Sequence, residues 1–345
     1  MSARTDRRRA LLAGALALLL RASGASAATA PAPVIVGDHE RLLVIAPHPD
    51  DETIGAAGLM QRVLAKGGTV EVILLTAGDG YVDAVRGETG LAEPKPADYI
   101  AYGERRLGES RAALREIEPD PGRARLAILG FPDGGLDSLL SAHWPRSNPA
   151  RSRTTGATDP PYDADALVPS LPYVGEGLRR QLATLIRQAR PTIIALPDPR
   201  DVHPDHHATA MFALLAIEDL LRGVDPKAES GGERPPPRLL AYLVHWPAWP
   251  PGWDAPASSP GDARAALQLP ADLPNRGGHP VELRLSDDEI DGKHRAMARH
   301  VSQSEQMPVY LSAFVRRSEP FTILAPAELH ADGALARFRA PLPRR

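Results

Sequence analysis

Leu42-Leu43-Val44-Ile45-Ala46-Pro47-His48-Pro49-Asp50-Asp51-Glu52 is an apolar run that ends in a proline-bracketed cluster of one imidazole and three acids. Five apolar residues stopped by proline predict a buried strand. Thr53 to Lys66, closed by Gly67-Gly68, predicts a helix ahead of the next apolar run, Val70 to Thr76. Strand, helix and strand in that order begin a parallel sheet, because parallel neighbours need a crossover of this length. Working outward, Ala124 to Phe131, Thr192 to Leu196 and Leu239 to His245 predict further strands. Glu104 to Ile117, Gly175 to Ala189 and a segment near Ala208 to Leu221 predict helices between them. A last helix over Ser286 to Ser302 has Ser286 as N-cap and Glu289 at the capping-box position. The expectation is an α/β fold, a Rossmann-like and mostly parallel sheet with helices on both faces.

Two stretches interrupt this alternation and read as insertions into a single domain spanning residues 28–345. Residues 141–172 are rich in Pro, Ser, Thr and Arg and read as surface loop. Residues 246–280 hold Trp246, Trp249 and Trp253 among prolines. Those rings either stack against sugar rings or pack the loop onto the domain.

The chain opens with arginines at positions 4, 7, 8 and 9, an apolar run from Ala10 to Leu20, and Ala25-Ser26-Ala27. That pattern predicts a signal peptide over residues 1–27 and a periplasmic or secreted protein. Arg7-Arg8-Arg9-Ala10-Leu11-Leu12 is similar to a twin-arginine export signal. The apolar run falls short of the roughly 20 residues a membrane span requires, so no stable membrane insertion is expected once the leader is gone. Cysteine is absent, so any metal must sit on nitrogen and oxygen. Without residues 1–27, 35 basic residues face 42 acidic ones, which argues against a nucleic-acid surface.

A second polar cluster, Asp198-Pro199-Arg200-Asp201-Val202-His203-Pro204-Asp205-His206-His207, directly follows the strand Thr192 to Leu196. Sites in parallel α/β sheets form beyond the carboxyl ends of strands, so two such loops can face one crevice. Catalytic zinc takes three protein ligands and keeps a place for water, and two histidines with one aspartate would suffice. The remaining carboxylates and imidazoles are then free to move protons, which amide hydrolysis demands because an amine leaves only when protonated.

His48-Pro49-Asp50-Asp51-Glu52 and His203-Pro204-Asp205-His206 resemble the two motifs of the PIG-L/LmbE family of zinc-dependent N-deacetylases. Thr76-Ala77-Gly78-Asp79, Arg106 with Glu109, and Leu129-Gly130-Phe131-Pro132-Asp133-Gly134 resemble its lesser signatures, and Lys293, His300, Ser302 and Gln303 its C-terminal helix motif. The resemblance implies that His48, Asp51 and His206 bind Zn2+ and that Asp50 is the general base acting on the water the metal activates. It further implies that His203 stabilises the oxyanion or serves as acid, with Asp205 orienting its ring. Arg106 and Asp133 are candidates for contact with the sugar, and His207 competes with His206 for the ligand role. One departure is Thr53-Ile54-Gly55-Ala56-Ala57-Gly58, where many relatives carry a Gly-Gly pair.

The implied activity is removal of an N-acetyl group from an N-acetylglucosamine-type sugar or glycan. Two other readings stand beside it: an amidase acting on a non-sugar acyl amide, and a metal-containing noncatalytic glycan-binding protein. A nucleotide-binding Rossmann module is disfavoured, because Gly55 and Gly58 do not form G-x-G-x-x-G and the acidic loop would repel a pyrophosphate.

Overall fold

The computed structural model describes residues 31–162, 171–221, 235–253, 265–275 and 278–325. The chain divides after Ala32 into two units, and of the first only Pro31 and Ala32 are described. The expected leader, residues 1–27, therefore lies outside the described residues, as do 163–170 and 254–264 within the two expected insertions.

From Pro33 onward, seven strands of five residues or more join in one sheet. They are β1 (Arg41–Ala46), β2 (Thr69–Thr76), β3 (Ala124–Phe131), β4 (Ile193–Pro197), β5 (Arg238–Tyr242), β6 (His279–Arg284) and β7 (Ser318–Leu324). Their order is β6-β7-β5-β4-β1-β2-β3. The five from β3 to β5 run parallel, with Leu42 of β1 beside Val70 on one side and Ile193 on the other. β7 pairs antiparallel with both β5 and β6. The five parallel strands match the sequence reading, and the two antiparallel edge strands add to it.

Alternation along β1 sends its side chains into two different cores. Leu42, Val44 and Ala46 join Ile54, Ala57, Met60 and Val63 of α1 (Asp51–Ala65). Leu43 and Ile45 join Leu182 of α5 (Gly175–Ala189) and Met211 and Phe212 of α6 (Pro204–Leu221). Leu42, Leu43 and Ile45 each lose nearly all contact with solvent, worth about 2 kcal/mol per side chain. A slip of one residue would exchange every partner on both faces.

Crossovers from β1 run to β2 and β3 on one side of the sheet, while β4 and β5 lie on the other, so the strand order reverses between β1 and β4. That reversal opens a crevice beyond their carboxyl ends. α1 starts at its edge, with Asp51 and Glu52 in the first turn where the helix dipole favours negative charge. Gly55 and Gly58 allow α1 to lie close: a Cβ at Gly55 would come 2.4 Å from Tyr242 and one at Gly58 would come 2.4 Å from Leu285. The departure from Gly-Gly thus keeps a glycine at both contact points.

Two helices depart from their predicted bounds. α3 (Pro96–Ile117), which follows α2 (Val82–Thr89), begins eight residues before Glu104, because Pro96 sits at its first position and Asp98 accepts the Lys95 amide at 2.7 Å. The last predicted helix is broken into α7 (Asp287–Met297) and α8 (Val301–Ser304), with α9 (Pro308–Ser312) beyond. Ser286 and Glu289 form the predicted capping box, at 3.2 and 2.8 Å. The first expected insertion packs inward at two points: its Ala150 joins one core and its Tyr162 the other. No helix among the described residues is long and apolar enough to cross a membrane.

Candidate metal centre

The loop after β1 and the loop after β4 meet at the carboxylate of Asp51. Its Oδ2 lies 3.1 Å from Nδ1 of His48 and 3.2 Å from Nε2 of His206, and the two rings are 5.3 Å apart. The far side of each ring faces another carboxylate. His48 Nε2 lies 3.2 Å from Asp133 and 3.3 Å from Asp205, and His206 Nδ1 lies 3.2 Å from Asp201. An imidazole that binds metal through one nitrogen is commonly oriented through its other nitrogen in this way.

Whether these residues suit a cation is answered by His206. The ring is fully buried, yet neither nitrogen completes a hydrogen bond, although both stand near a carboxylate oxygen. Buried polar atoms are rarely left unpaired, and an ion between His206 and Asp51 would satisfy one of them. The potential points the same way. Burial resists charge on His206, but Asp51 and Asp201 outweigh it and push its pKa up to about 9. His48 is likewise raised despite its burial, chiefly by Asp133. Nitrogen and carboxylate oxygen are donors that zinc accepts.

Asp50 stands beside this set with its backbone at φ 120, a region that L-residues avoid. Its amide donates to Glu52 at 2.9 Å, and its carbonyl accepts the amides of Thr53 and Ile54, opening α1. The carboxyl group is buried, and that burial lifts its pKa to about 8 against the opposing charge of Arg106.

His203 accepts the amide of Asp205 on Nδ1 at 3.3 Å, which assigns the ring proton to Nε2. Burial, with the neighbouring His48, His206 and His245, pushes its pKa down to about 2, so the ring is a neutral donor. Asp205, which the resemblance gives the task of orienting this ring, meets it through that backbone amide, while its carboxylate accepts the amides of Gly134 and Leu136, at 2.7 and 3.0 Å, and faces His48. The direction of that carboxylate follows from its place in the first turn of α6, opposite the turn between β3 and α4 (Leu136–Leu139).

Arg106 and Asp133 both line the pocket, and each is committed to the protein. Arg106 donates to the carbonyls of Gly78 and Pro49 at 2.9 and 2.6 Å, tying the turn after β2 to the loop after β1. Asp133 accepts the Gly80 amide at 2.6 Å. His207 meets the Pro199 carbonyl at 2.7 Å, and its neighbour His206 alone joins the cluster.

The C-terminal motif residues brace α1 and α3. Lys293 donates to Ile54 and Glu319 at 2.7 and 2.8 Å, while Glu319 accepts the amides of Gly58 and Leu59. His300 meets Thr53 at 3.0 Å, Ser302 donates to Glu109 at 2.7 Å, and Gln303 donates to Tyr102 at 2.7 Å. Of the three tryptophans, Trp249 is buried edge-on against Phe314 and Trp246 donates to Asp272. Trp253 is exposed, edge-on to the pocket residue Tyr310.

Two residues beside His206 have no role that the sequence shows. Asp201 stands in the same loop, but nothing there indicates that it faces His206. His245 closes the apolar run of β5 alone, with no second ligand near it in sequence, and it stands 4.6 Å from the ring of His206.

Comparison with known proteins adds to this geometry. The model of the GlcNAc-PI de-N-acetylase (PIG-L) family matches residues 43–217, which contain both polar loops. A 1D-myo-inositol 2-acetamido-2-deoxy-alpha-D-glucopyranoside deacetylase of Salinispora arenicola is 25% identical over 293 residues, 83% of this chain and 80% of that protein. A diacetylchitobiose deacetylase of Thermococcus kodakarensis is 26% identical over 202 residues, 55% of this chain and 57% of that protein. The solved N,N'-diacetylchitobiose deacetylase of Pyrococcus horikoshii has a TM-score of 0.50 at 17% identity, covering 85% of this chain and 87% of that one, a likeness of fold.

Proposed function

We propose, from the premise that this chain belongs to the GlcNAc-PI de-N-acetylase (PIG-L) family, that it is a zinc-dependent hydrolase which removes an N-acetyl group from an N-acetylglucosamine-type sugar or glycan. The observation that carries this reading is Asp51 Oδ2 standing between the rings of His48 and His206, with the carboxyl of Asp50 left over beside them. The named activities of the Salinispora and Thermococcus relatives supply the substrate class.

His48, Asp51 and His206 would hold the ion, which when bound acidifies a water and polarises the acyl carbonyl. Asp50 takes the proton of the attacking water, and Arg106 keeps that carboxyl in place. His203 presents its Nε2 proton to the oxygen on which negative charge develops, and its neutrality suits it to donate without ionising. Held neutral, the ring carries no imidazolium proton to give to the leaving nitrogen. The proton that the leaving nitrogen needs therefore returns from Asp50. Asp133 and Asp205 hold the His48 ring, and Asp201 holds that of His206. The leader pattern of residues 1–27 supports action outside the cytoplasm.

The test is a screen of N-acetylated mono-, oligo- and polysaccharides for free amine, with and without a chelator. Amine should appear only with metal present. Metal-loaded protein that frees no amine from any sugar, yet cleaves simple acyl amides, would move the assignment to an amidase; failure on both would leave a noncatalytic binder.

A further inference from the structure

We propose that His245 is a fourth protein ligand of the ion, locked in its ligating tautomer by Tyr310. The proposal rests on the metal reading above and adds to it a residue outside both polar loops.

His245 leaves the carboxyl end of the sheet three residues after β5, beside the loop that follows β4. Its backbone amide donates to Asp201 Oδ2 at 2.9 Å, and that same oxygen lies 3.2 Å from His206 Nδ1. One carboxylate oxygen therefore ties the backbone of His245 to the ring of His206. Their rings stand 4.6 Å apart and nearly perpendicular. A nitrogen of His245 lies within 4.8 Å of ligand atoms of both Asp51 and His206. Two imidazoles that share one ion at bonds of about 2.1 Å have ring centres about 5 Å apart. The separation of His206 from His245 fits that spacing as well as the 5.3 Å between His48 and His206 does.

The tautomer follows from a count of protons. Tyr310 donates its only hydroxyl proton to the carbonyl of Val244 at 2.7 Å. The phenol oxygen also lies 3.2 Å from His245 Nδ1, so in that contact it can only accept, and Nδ1 must carry the hydrogen. Nε2 is then left with a lone pair. The phenol ring also stacks on the imidazole, 5.9 Å apart and 11° from parallel, which fixes its plane. His203, 5.0 Å away, has the opposite assignment, with its proton on Nε2. Adjacent rings are thereby divided between donating to an oxyanion and binding a cation. A fourth protein ligand is compatible with a bound water, since zinc can accept five ligands.

X-ray absorption at the zinc edge of the loaded protein tests this by counting imidazoles. The expected count is three in the wild type and two in His245→Gln, with zinc bound at least about tenfold more weakly in the variant. Tyr310→Phe should weaken binding severalfold by removing the acceptor that holds Nδ1–H. A wild-type count of two, or an unchanged zinc Kd in His245→Gln, overturns the proposal while leaving the three-ligand centre standing. Should His245→Gln fail to fold, the wild-type count alone decides. A wild type that takes up no zinc overturns this inference and the metal reading together.

Discussion

Nη2 of Arg106 lies 3.4 Å from Oδ2 of Asp50 while it donates to the carbonyl of Pro49 at 2.6 Å, so one buried guanidinium holds both the side chain of Asp50 and the peptide that precedes it. Its charge lowers the pKa of Asp50, against burial and the charges of Asp51 and Glu52, which raise it. A base works only when ionised. Arg106→Gln should therefore move the acidic limb of the pH profile of kcat/KM upward, by on the order of one unit. An unmoved limb would mean that Asp50 is not the base which the limb reports.

Asp50→Asn should keep its metal and lose turnover by about 1,000-fold, the scale of a removed general base. His206→Ala should do the reverse in order of cause, losing metal first and activity in consequence. Elemental analysis beside a rate assay separates the two. Full occupancy in the His206 variant would shift the ligand role to another member of the cluster.

Zinc uptake should release protons. In the metal-free protein the pKa of His206 is about 9, above the ordinary value of 6.5, because Asp51 and Asp201 prevail over burial. Its contribution to the stability of the metal-free fold is complete below pH 6.5 and is lost as pH rises through 9. Below pH 9 the ion must displace that proton, and one from His48 as well, whose pKa is also raised, so apparent affinity should climb with pH. Chelator competition across this range measures the slope, and calorimetry in buffers of different ionisation enthalpy counts the protons. Affinity independent of pH would show that the ring is already neutral.

Lys293→Met should destabilise the protein by about 3–5 kcal/mol, since it leaves the carboxylate of Glu319 buried without its partner. Denaturant unfolding checks the magnitude. A loss below about 1 kcal/mol would show that the amides of Gly58 and Leu59 suffice to hold Glu319.

The parallel half of the sheet is legible in the sequence because the carboxyl-terminal parts of β1 to β5 are buried and read as largely apolar runs. The antiparallel edge is not. β6 begins His279-Pro280, and β7 carries Glu319 and Pro320, so neither has a run to find. Glu319 is tolerated inside only because Lys293 and two amides of α1 satisfy it, and no periodicity announces such partners. The same difference governs the site. His48, Asp51 and His206 stand out because each loop condenses several polar groups within a few residues. Asp205 is legible as a site residue, but its partner is not, since the direction of its carboxylate depends on how α6 meets the turn after β3. His245 becomes a neighbour of His206 only when the ends of β4 and β5 are brought side by side, while Asp201 reaches it through the path of the loop they share.

Asp201 gives this arrangement a consequence for anyone who would transplant it. A single oxygen gathers the amides of Val244 and His245 and also faces the ring of His206. Copying the two polar loops onto another scaffold would carry Asp201 and the donor atoms without the two amides that hold its carboxylate in place. A working graft must import the end of β5 as well, or supply other hydrogen-bond donors at the place where that strand leaves the sheet.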